Sequence, residues 1–145
     1  MQFSDKPFDF TLKTQVKSGI NIVREIPNYL KQQKFNRIGF VIDYNLFESL
    51  PDIKSIIDEC KNSFDSVLVH EYKEKFEPTY QYLDLAKCNF KENEKSLVDC
   101  IVGIGGGSTI DLAKGIATLI TNHGPSISYK GFPVNLNPSI PIIAI

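Results

Sequence analysis

The sequence lacks an excess of charge of either sign. Its 145 residues include 16 Lys and Arg against 17 Asp and Glu, which gives a formal net charge of −1 at pH 7. Proteins that bind the backbone of nucleic acids carry a basic stripe, and in this chain aromatic residues are not interleaved with clusters of Lys and Arg. The composition therefore argues against a nucleic acid partner.

Long apolar runs are also missing. No stretch reaches the roughly 18 to 20 apolar residues that a membrane-spanning helix needs. The N-terminus, MQFSDKPFDF, has no basic segment followed by an apolar core of the kind that makes a signal peptide. These absences predict a cytoplasmic protein with no membrane partner. The length suits one domain with its own core, spanning residues 1–145.

Cysteine and histidine are scarce. Cys60, Cys88 and Cys100 are odd in number and never form a C-x-x-C pair, which favours reduced thiols, with Cys100 in the core. His70 lies in a predicted strand, and His123 is expected to cap a helix C-terminus, where the helix dipole favours it. Two histidines without suitably spaced acids do not make a metal site, so we assign no metal ligand and no catalytic residue in this chain.

Short apolar runs recur along the chain and are typical of strands buried on both faces. Residues 8–19 differ, because apolar and polar side chains alternate there. This alternation predicts a strand or hairpin at the sheet edge, with one exposed face. The buried strands are predicted at residues 37–43, 66–72, 97–105 and 140–145.

Segments with helical spacing of apolar residues separate these strands. Pro27 allows a kink or restart in the first, Pro51 marks the start of the second, and Pro78 lies in the first turn of the third. Strands that alternate with helices imply right-handed crossovers and a parallel sheet covered on both faces. We therefore predict an α/β fold, Rossmann-like in the broad sense. The helices are predicted at residues 20–35, 45–64, 78–93 and 108–121, with a loop at 124–139.

Three consecutive glycines, Gly105, Gly106 and Gly107, join the third buried strand to the last helix in the run IVGIGGGSTIDLAKGIA. A helix N-terminus presents unpaired N–H groups and the positive end of the dipole, and glycine lets an anion approach the backbone. The Ser108 hydroxyl can cap the helix or bond a phosphate oxygen, and Asp111 completes an S-x-x-D capping box. The spacing G-x-G-x-x-S is one residue short of the dinucleotide fingerprint.

Two interpretations of this loop stay open: a phosphate cradle, or a turn rich in glycine only for tight packing. A P-loop is excluded, because no Gly-Lys-Ser/Thr follows. Asp43 ends the first buried strand, and ligands of open α/β sheets bind beyond the carboxyl ends of strands. Asp43 can accept hydrogen bonds from ribose hydroxyls, which favours NAD over NADP, or Asp43 or Asn45 can simply cap the next helix.

The run DCIVGIGGGSTIDLAKGIA, followed by PSIPIIAI, resembles the N-terminal domain of the iron-containing (group III) alcohol dehydrogenases. Glycerol dehydrogenases and dehydroquinate synthases are more distant relatives. Three further patterns occur in the same order as in the family: an N-terminal F-x-F with a later SG, then RIGFVID, then EPT at 77–79. The resemblance implies that NAD or NADP binds with its pyrophosphate on Gly106, Gly107 and Ser108 and its adenosine ribose near Asp43.

Later positions of the motif also match. Asp111 and Lys114 occupy its acid and base positions, and we expect Asp111 to cap and shape the loop. The candidate cofactor-binding residues are Asp43, Gly105, Gly106, Gly107, Ser108 and Asp111.

The resemblance further implies chemistry located outside this chain. It implies an alcohol or aldehyde oxidoreductase with divalent iron or zinc, held in a following helical domain, in a homodimer that pairs N-terminal strands. Family members are much longer, so we expect this chain to be part of a larger enzyme and, if complete, to be inactive alone. The alternatives are a dehydroquinate synthase-like or glycerol (phosphate) dehydrogenase relative, and a non-catalytic nucleotide-binding or dimerisation module.

Overall fold

Strands and helices alternate along the chain as the sequence predicts, apart from one divided helix and one added hairpin. The computed structural model describes residues 14–131 and 136–145. Short 3₁₀ helices at Ile22–Glu25 and Ser126–Tyr129 complete the described elements. The strands are β1 (Arg37–Asp43), β2 (Ser66–Tyr72), β3 (Lys91–Glu92), β4 (Lys95–Ser96), β5 (Cys100–Ile104) and β6 (Ile142–Ala144), and the helices are α1 (Ile26–Gln32), α2 (Tyr44–Ser49), α3 (Pro51–Ser63), α4 (Tyr80–Lys87) and α5 (Gly107–Thr121).

The main sheet has four parallel strands in the order β2–β1–β5–β6. In its centre Phe40 is in register with Val69 of β2 and with Val102 of β5. At the carboxyl end of β1, Asp43 pairs in register with Tyr72. Parallel strands therefore bring their carboxyl ends, and the loops that follow, to one edge of the sheet.

Helices cover both faces of this sheet, which confirms the predicted α/β fold. Alternate residues of a strand point to opposite faces. Ile38, Phe40 and Ile42 of β1 are fully buried in a cluster with α1 and α3. Val41 of β1 faces the other way, into a cluster with α4 and α5. The central strands are thus buried on both sides, as their continuous apolar runs require.

The predicted helix at 45–64 is two helices, α2 and α3. They are separated at Leu50, whose backbone is extended with φ −114° and ψ 97°. A residue before proline is disfavoured in the helical region, so Pro51 ends one helix and begins the next. The predicted start at Pro51 is confirmed, and Pro27 similarly lies in the first turn of α1 after a 3₁₀ turn.

The predicted strand at 66–72 is confirmed with the same bounds, but the prediction that it is buried on both faces is wrong. Six of its seven residues are only half-buried. The reason is topological: among the described residues β2 has one strand neighbour, β1, whereas β1 has two. An apolar run alone does not distinguish a central strand from an edge strand of the same sheet.

Helix α4 is shorter than predicted and starts later. Thr79 is its N-cap, with a hydroxyl that accepts a hydrogen bond from Tyr82 N at 3.1 Å, so Pro78 precedes the helix. The helix ends at Lys87 because the chain turns into the β3–β4 hairpin, with positive φ at Asn93 and Glu94. This hairpin was not predicted.

The first predicted segment, residues 8–19, is mostly outside the described residues. Its described part, residues 14–19, forms neither strand nor helix. Most of the predicted strand at 97–105 is confirmed as β5, and the last predicted strand as β6.

Candidate functional site

Asp43 and the glycine loop lie together at the carboxyl edge of the sheet, as the topology predicts. β1 ends at Asp43, and β5 runs directly into Gly105. A Cβ atom placed on Gly105 would lie 3.0 Å from the Cβ atom of Asp43. The structure therefore brings the two predicted parts of the site into contact, although 61 residues separate them in the chain (positions 44 to 104).

Gly105 is required by the fold itself. Its φ of +154° belongs to a region that residues with a side chain rarely adopt. A Cβ atom there would also stand 2.8 Å from the Oγ1 atom of Thr109, which is buried. The tight-packing interpretation of the loop is therefore correct for this one glycine.

Gly106 and Gly107 have no such explanation. Gly106 has an ordinary φ of −76°, and a Cβ atom on either glycine would meet no protein atom within 4 Å among the described residues. Both residues are exposed. Gly106 and Gly107 therefore leave open the space in front of α5. A pyrophosphate needs that kind of open space.

The N-terminus of α5 supplies donors to this space. Gly106 is the N-cap residue, so the amides of Gly107 and Ser108 have no partner within the helix. Within residues 14–131 and 136–145, no backbone or side-chain acceptor bonds these two amides. Together with the positive end of the helix dipole, they fit an anion such as a phosphate.

The predicted capping box of Ser108 and Asp111 is wrong. Because α5 begins at Gly107, Ser108 is the second residue of the helix and its side chain makes no cap. Asp111 instead accepts a hydrogen bond from Lys114 Nζ at 3.1 Å, with both side chains largely exposed. Asp111 therefore does not shape the loop, and the Ser108 hydroxyl is not used for capping.

Asp43 caps helix α2. Its Oδ1 atom accepts hydrogen bonds from the amides of Asn45 at 2.8 Å and Leu46 at 3.2 Å. The capping interpretation is thereby confirmed, but it uses one carboxylate oxygen. No donor among the described residues bonds Oδ2, so this oxygen can accept a further hydrogen bond.

A group of charged and aromatic residues that the sequence reasoning missed lies at the carboxyl end of β2. Lys73, directly after β2, places Nζ 3.1 Å from Oε2 of Glu71 and 4.7 Å from the ring centre of Tyr44. The hydrogen bond to Glu71 raises the pKa of Lys73. We refer to Tyr44, Glu71 and Lys73 as the Lys73 cluster. The signal in the sequence was a lysine just after a strand that neighbours β1.

A cleft of about 490 Å³ lies beside the second turn of α5. The EPT residues 77–79 form one wall, and Asp111 and Leu112 of α5 contribute to the other. Residues 77–79, which the sequence analysis used only for the family resemblance, therefore lie beside α5, the helix that follows the glycine loop. Its walls extend the site along α5.

His70 is a strand residue, as predicted. Its Nδ1 atom lies 2.7 Å from Asn89 Nδ2 and its Nε2 atom 3.2 Å from the Tyr82 hydroxyl. Burial lowers the pKa of His70. These contacts suit a neutral ring that accepts from Asn89 and donates to Tyr82.

His123 does not cap α5, contrary to the prediction. Asn122 is the C-cap residue, and the His123 ring contacts the carboxylate of Glu94. The cation at this helix end is Lys91, whose side chain is only 6% exposed and whose Nζ donates to Leu119 O at 3.0 Å. The β3–β4 hairpin carries Lys91 there, so a lysine distant in sequence takes the expected position.

The three cysteines are free thiols. Cys60 and Cys100 are buried, and burial raises the pKa of their thiols to about 11 and about 12, respectively. The core location of Cys100 is confirmed. In the described part of the chain, no group of three or more His, Cys, Asp or Glu residues is arranged to hold a metal ion. The helices described there are also too short or too polar to cross a membrane.

The sequence matches the model of the iron-containing alcohol dehydrogenase family over residues 13–145. Alcohol dehydrogenase 4 of Schizosaccharomyces pombe is 34% identical over 134 residues, which cover 88% of this chain and 29% of that protein. Sulfoacetaldehyde reductase of Bilophila wadsworthia is 26% identical over 136 residues, 94% of this chain and 34% of that protein. The chain thus spans about a third of the length of these relatives.

Solved structures share the fold. NADH-dependent butanol dehydrogenase A from Thermotoga maritima has a TM-score of 0.81 at 18% identity, covering 95% of this chain and 34% of that one. Sulfoacetaldehyde reductase from Bifidobacterium kashiwanohense, in complex with NAD+, has a TM-score of 0.78 at 18% identity, covering 96% and 35%. The resemblance that the glycine run indicates is confirmed.

Proposed function

Since the chain belongs to the iron-containing alcohol dehydrogenase family, we propose that it is the dinucleotide-binding domain of an NAD(P)-dependent, metal-assisted alcohol or aldehyde oxidoreductase. One observation carries this proposal: Gly106 and Gly107 leave open the space in front of the free amides of α5. No contact within the described protein requires these two glycines, so a bound phosphate group is the reason for them.

The residues of the site have distinct roles in this proposal. The amides of Gly107 and Ser108 and the Ser108 hydroxyl hold the pyrophosphate. The Oδ2 atom of Asp43 accepts a hydrogen bond from a hydroxyl of the adenosine ribose, while Oδ1 keeps the carboxylate in place through the α2 cap. When bound, the nicotinamide cofactor supplies hydride transfer.

The remaining parts of the proposal concern the whole enzyme. Residues 1–145 form the cofactor domain, and the metal and substrate sites belong to a further domain. We also propose a homodimer in the cytoplasm, with pairing through the N-terminal residues. The names of the relatives, an alcohol dehydrogenase and a sulfoacetaldehyde reductase, support small alcohols or aldehydes as the substrate class.

Calorimetric titration of the chain with NAD, NADP and ADP-ribose tests the cofactor site. We expect saturable binding of NAD and ADP-ribose. Gly106→Val should abolish it while circular dichroism shows a folded protein, because the new side chain enters space that no described protein atom occupies. Ser108→Ala should weaken binding by about tenfold, the worth of one charge-assisted hydrogen bond.

The control for the serine variant is Ser55→Ala, which removes a hydroxyl from an exposed position of α3. It should leave the affinity unchanged. Absence of binding of all three ligands at millimolar concentration contradicts the cofactor site. Unaltered affinity in Gly106→Val contradicts the assignment of the pyrophosphate to this loop.

A further inference from the structure

Helix α4 is held to the rest of the domain by few buried contacts. Among its residues only Ala86 is buried, and Leu85 is 72% exposed. Tyr82 and Leu83 are half-buried against the core cluster that α4 shares with α5. An element with so little buried apolar surface opens at a lower free energy than the core of the fold. A polar contact is therefore a substantial part of what holds α4.

That polar contact is a hydrogen-bonded row of three side chains, Asn89, His70 and Tyr82. His70 lies on the edge strand β2 and pairs in register with Val41, which faces α4 and α5. The Nε2 atom of His70 lies 3.2 Å from the hydroxyl of Tyr82, in the first turn of α4. Its Nδ1 atom lies 2.7 Å from Nδ2 of Asn89, two residues after the helix. The imidazole thus joins β2 to both ends of α4.

This row accommodates a neutral imidazole ring. A neutral ring has one donor and one acceptor nitrogen, so it accepts from the Asn89 amide and donates to the Tyr82 hydroxyl. A protonated ring has two donors and no acceptor, so its Nδ1–H group would face the Asn89 NH₂ group until that amide turned over. The charge would also lie in a half-buried position, and burial lowers the pKa of His70. Protonation therefore opposes the arrangement seen in the structure.

Charged groups on β2 do not remove this cost. Glu71 is adjacent and raises the pKa of His70, but burial has the larger effect. Successive side chains of a strand point to opposite faces of the sheet, so Glu71 lies across the sheet from the His70 ring. Its carboxylate is paired with Lys73 Nζ at 3.1 Å within the Lys73 cluster.

The elements packed against the ring supply uncharged groups. Burial, with a contribution from Glu74, raises the pKa of Tyr82, so this hydroxyl is neutral at physiological pH. Asn89 carries no charge, and the Phe90 ring meets His70 edge to face with ring centres 6.5 Å apart. Protons reach the ring, because an open groove along β2 is lined by His70 and Asn89.

We propose that His70 is a proton-sensitive latch, which fastens α4 to β2 at neutral pH and loosens it in mild acid. Histidine is the side chain whose ordinary titration falls between about pH 5 and 8. Tyr80, Gln81 and Leu83 line the cleft beside the second turn of α5, so loosening of α4 releases one wall of that cleft. The latch involves no residue of the glycine loop and needs no cofactor.

The test is amide hydrogen exchange of residues 80–87, measured between about pH 5 and 8 and corrected for the intrinsic exchange rate at each pH. The folded pKa of His70 lies below its unfolded value of about 6.5. The latch is therefore complete above about pH 6.5 and is lost as the pH falls through the lower folded value. We expect the protection of α4 to fall about fivefold in acid, the worth of one hydrogen bond, while α3 keeps its protection.

The two histidines of the chain provide a matched pair of variants. His70→Gln should remove the pH dependence of α4, because glutamine does not titrate in this range. His123→Gln is the control. The His123 side chain is 64% exposed and its ring contacts Glu94 of the β3–β4 hairpin, so this variant should keep the pH dependence of the unmodified protein.

A further variant keeps the latch testable if His70→Gln does not fold. In Asn89→Asp a carboxylate accepts from the protonated Nδ1 atom and pairs with the imidazolium, so α4 should stay protected in acid. Equal protection of α4 at both ends of the pH range in the unmodified protein overturns the latch. An acid-induced fall that persists in both His70→Gln and Asn89→Asp also overturns it. In either case the proposed function stands.

Discussion

Asp43 and Gly105 are in direct contact across neighbouring strands: a Cβ atom on Gly105 would lie 3.0 Å from that of Asp43. One residue ends β1 and the other follows β5. The contact joins a carboxylate to the start of the loop that leads into α5. The pair therefore positions the two halves of the proposed cofactor site relative to each other.

Gly105→Ala should destabilise the protein by about 1–3 kcal/mol, because the backbone conformation there is strained for a side chain and the methyl group would lie 2.8 Å from Thr109. The measurement is urea unfolding followed by circular dichroism. Gly107→Ala is the matched control, since its methyl group would enter open space. Equal stability of the two variants would show that the Gly105 conformation is not required.

Asp43→Ala should cost about 1 kcal/mol of folding stability, the usual worth of an N-cap, and should also weaken NAD binding. Asp43→Asn separates the two roles, because an asparagine oxygen caps α2 as well as aspartate does but offers no carboxylate to the ribose. We expect this variant to keep its stability in urea and to bind NAD more weakly in calorimetry. Loss of stability in both variants would argue against the capping role.

Asp99 joins the amino ends of β1 and β5, at the edge of the sheet opposite the glycine loop. Its carboxylate receives Arg37 Nη2 at 2.6 Å and Nε at 3.0 Å, together with the amides of Asn36 and Arg37. Burial by itself would raise the pKa of Asp99, but these hydrogen bonds outweigh it and lower the pKa. A lowered pKa means that ionised Asp99 stabilises the folded state.

This stabilisation should be complete above about pH 4, the pKa of an unfolded aspartate, and should be lost as the pH falls through the lower folded value. Asp99→Asn should therefore lower the free energy of unfolding by about 1 kcal/mol at neutral pH. The difference in this free energy between the variant and the unmodified protein should become smaller in acid. Urea unfolding as a function of pH measures both. The control is Asp52→Asn, which breaks an exposed ion pair with Arg24 and should have little effect. A constant difference across the pH range would contradict the role of ionised Asp99.

Hydrophobic periodicity and glycine are local properties of a chain, and they predicted most of the fold. Continuous apolar runs located β1 and β5. Leu50 divides a helical segment in two because a residue before proline is disfavoured in the helical conformation. Capping was predicted less well. Helix α5 starts at Gly107, one residue before the predicted start, so Gly106 and not Ser108 is the N-cap residue. Asp111 is paired with Lys114 instead of completing a capping box.

The sequence by itself determined the α/β class, the order of its strands along the chain and the loop with Gly105, Gly106 and Gly107, because each depends on neighbouring residues. Only the tertiary structure decided which glycine the fold needs and which two face open space. It also decided that Lys73 stands beside Tyr44, and that Lys91 rather than His123 meets the end of α5. These relationships depend on strand order and on a hairpin, which join residues that no local pattern connects.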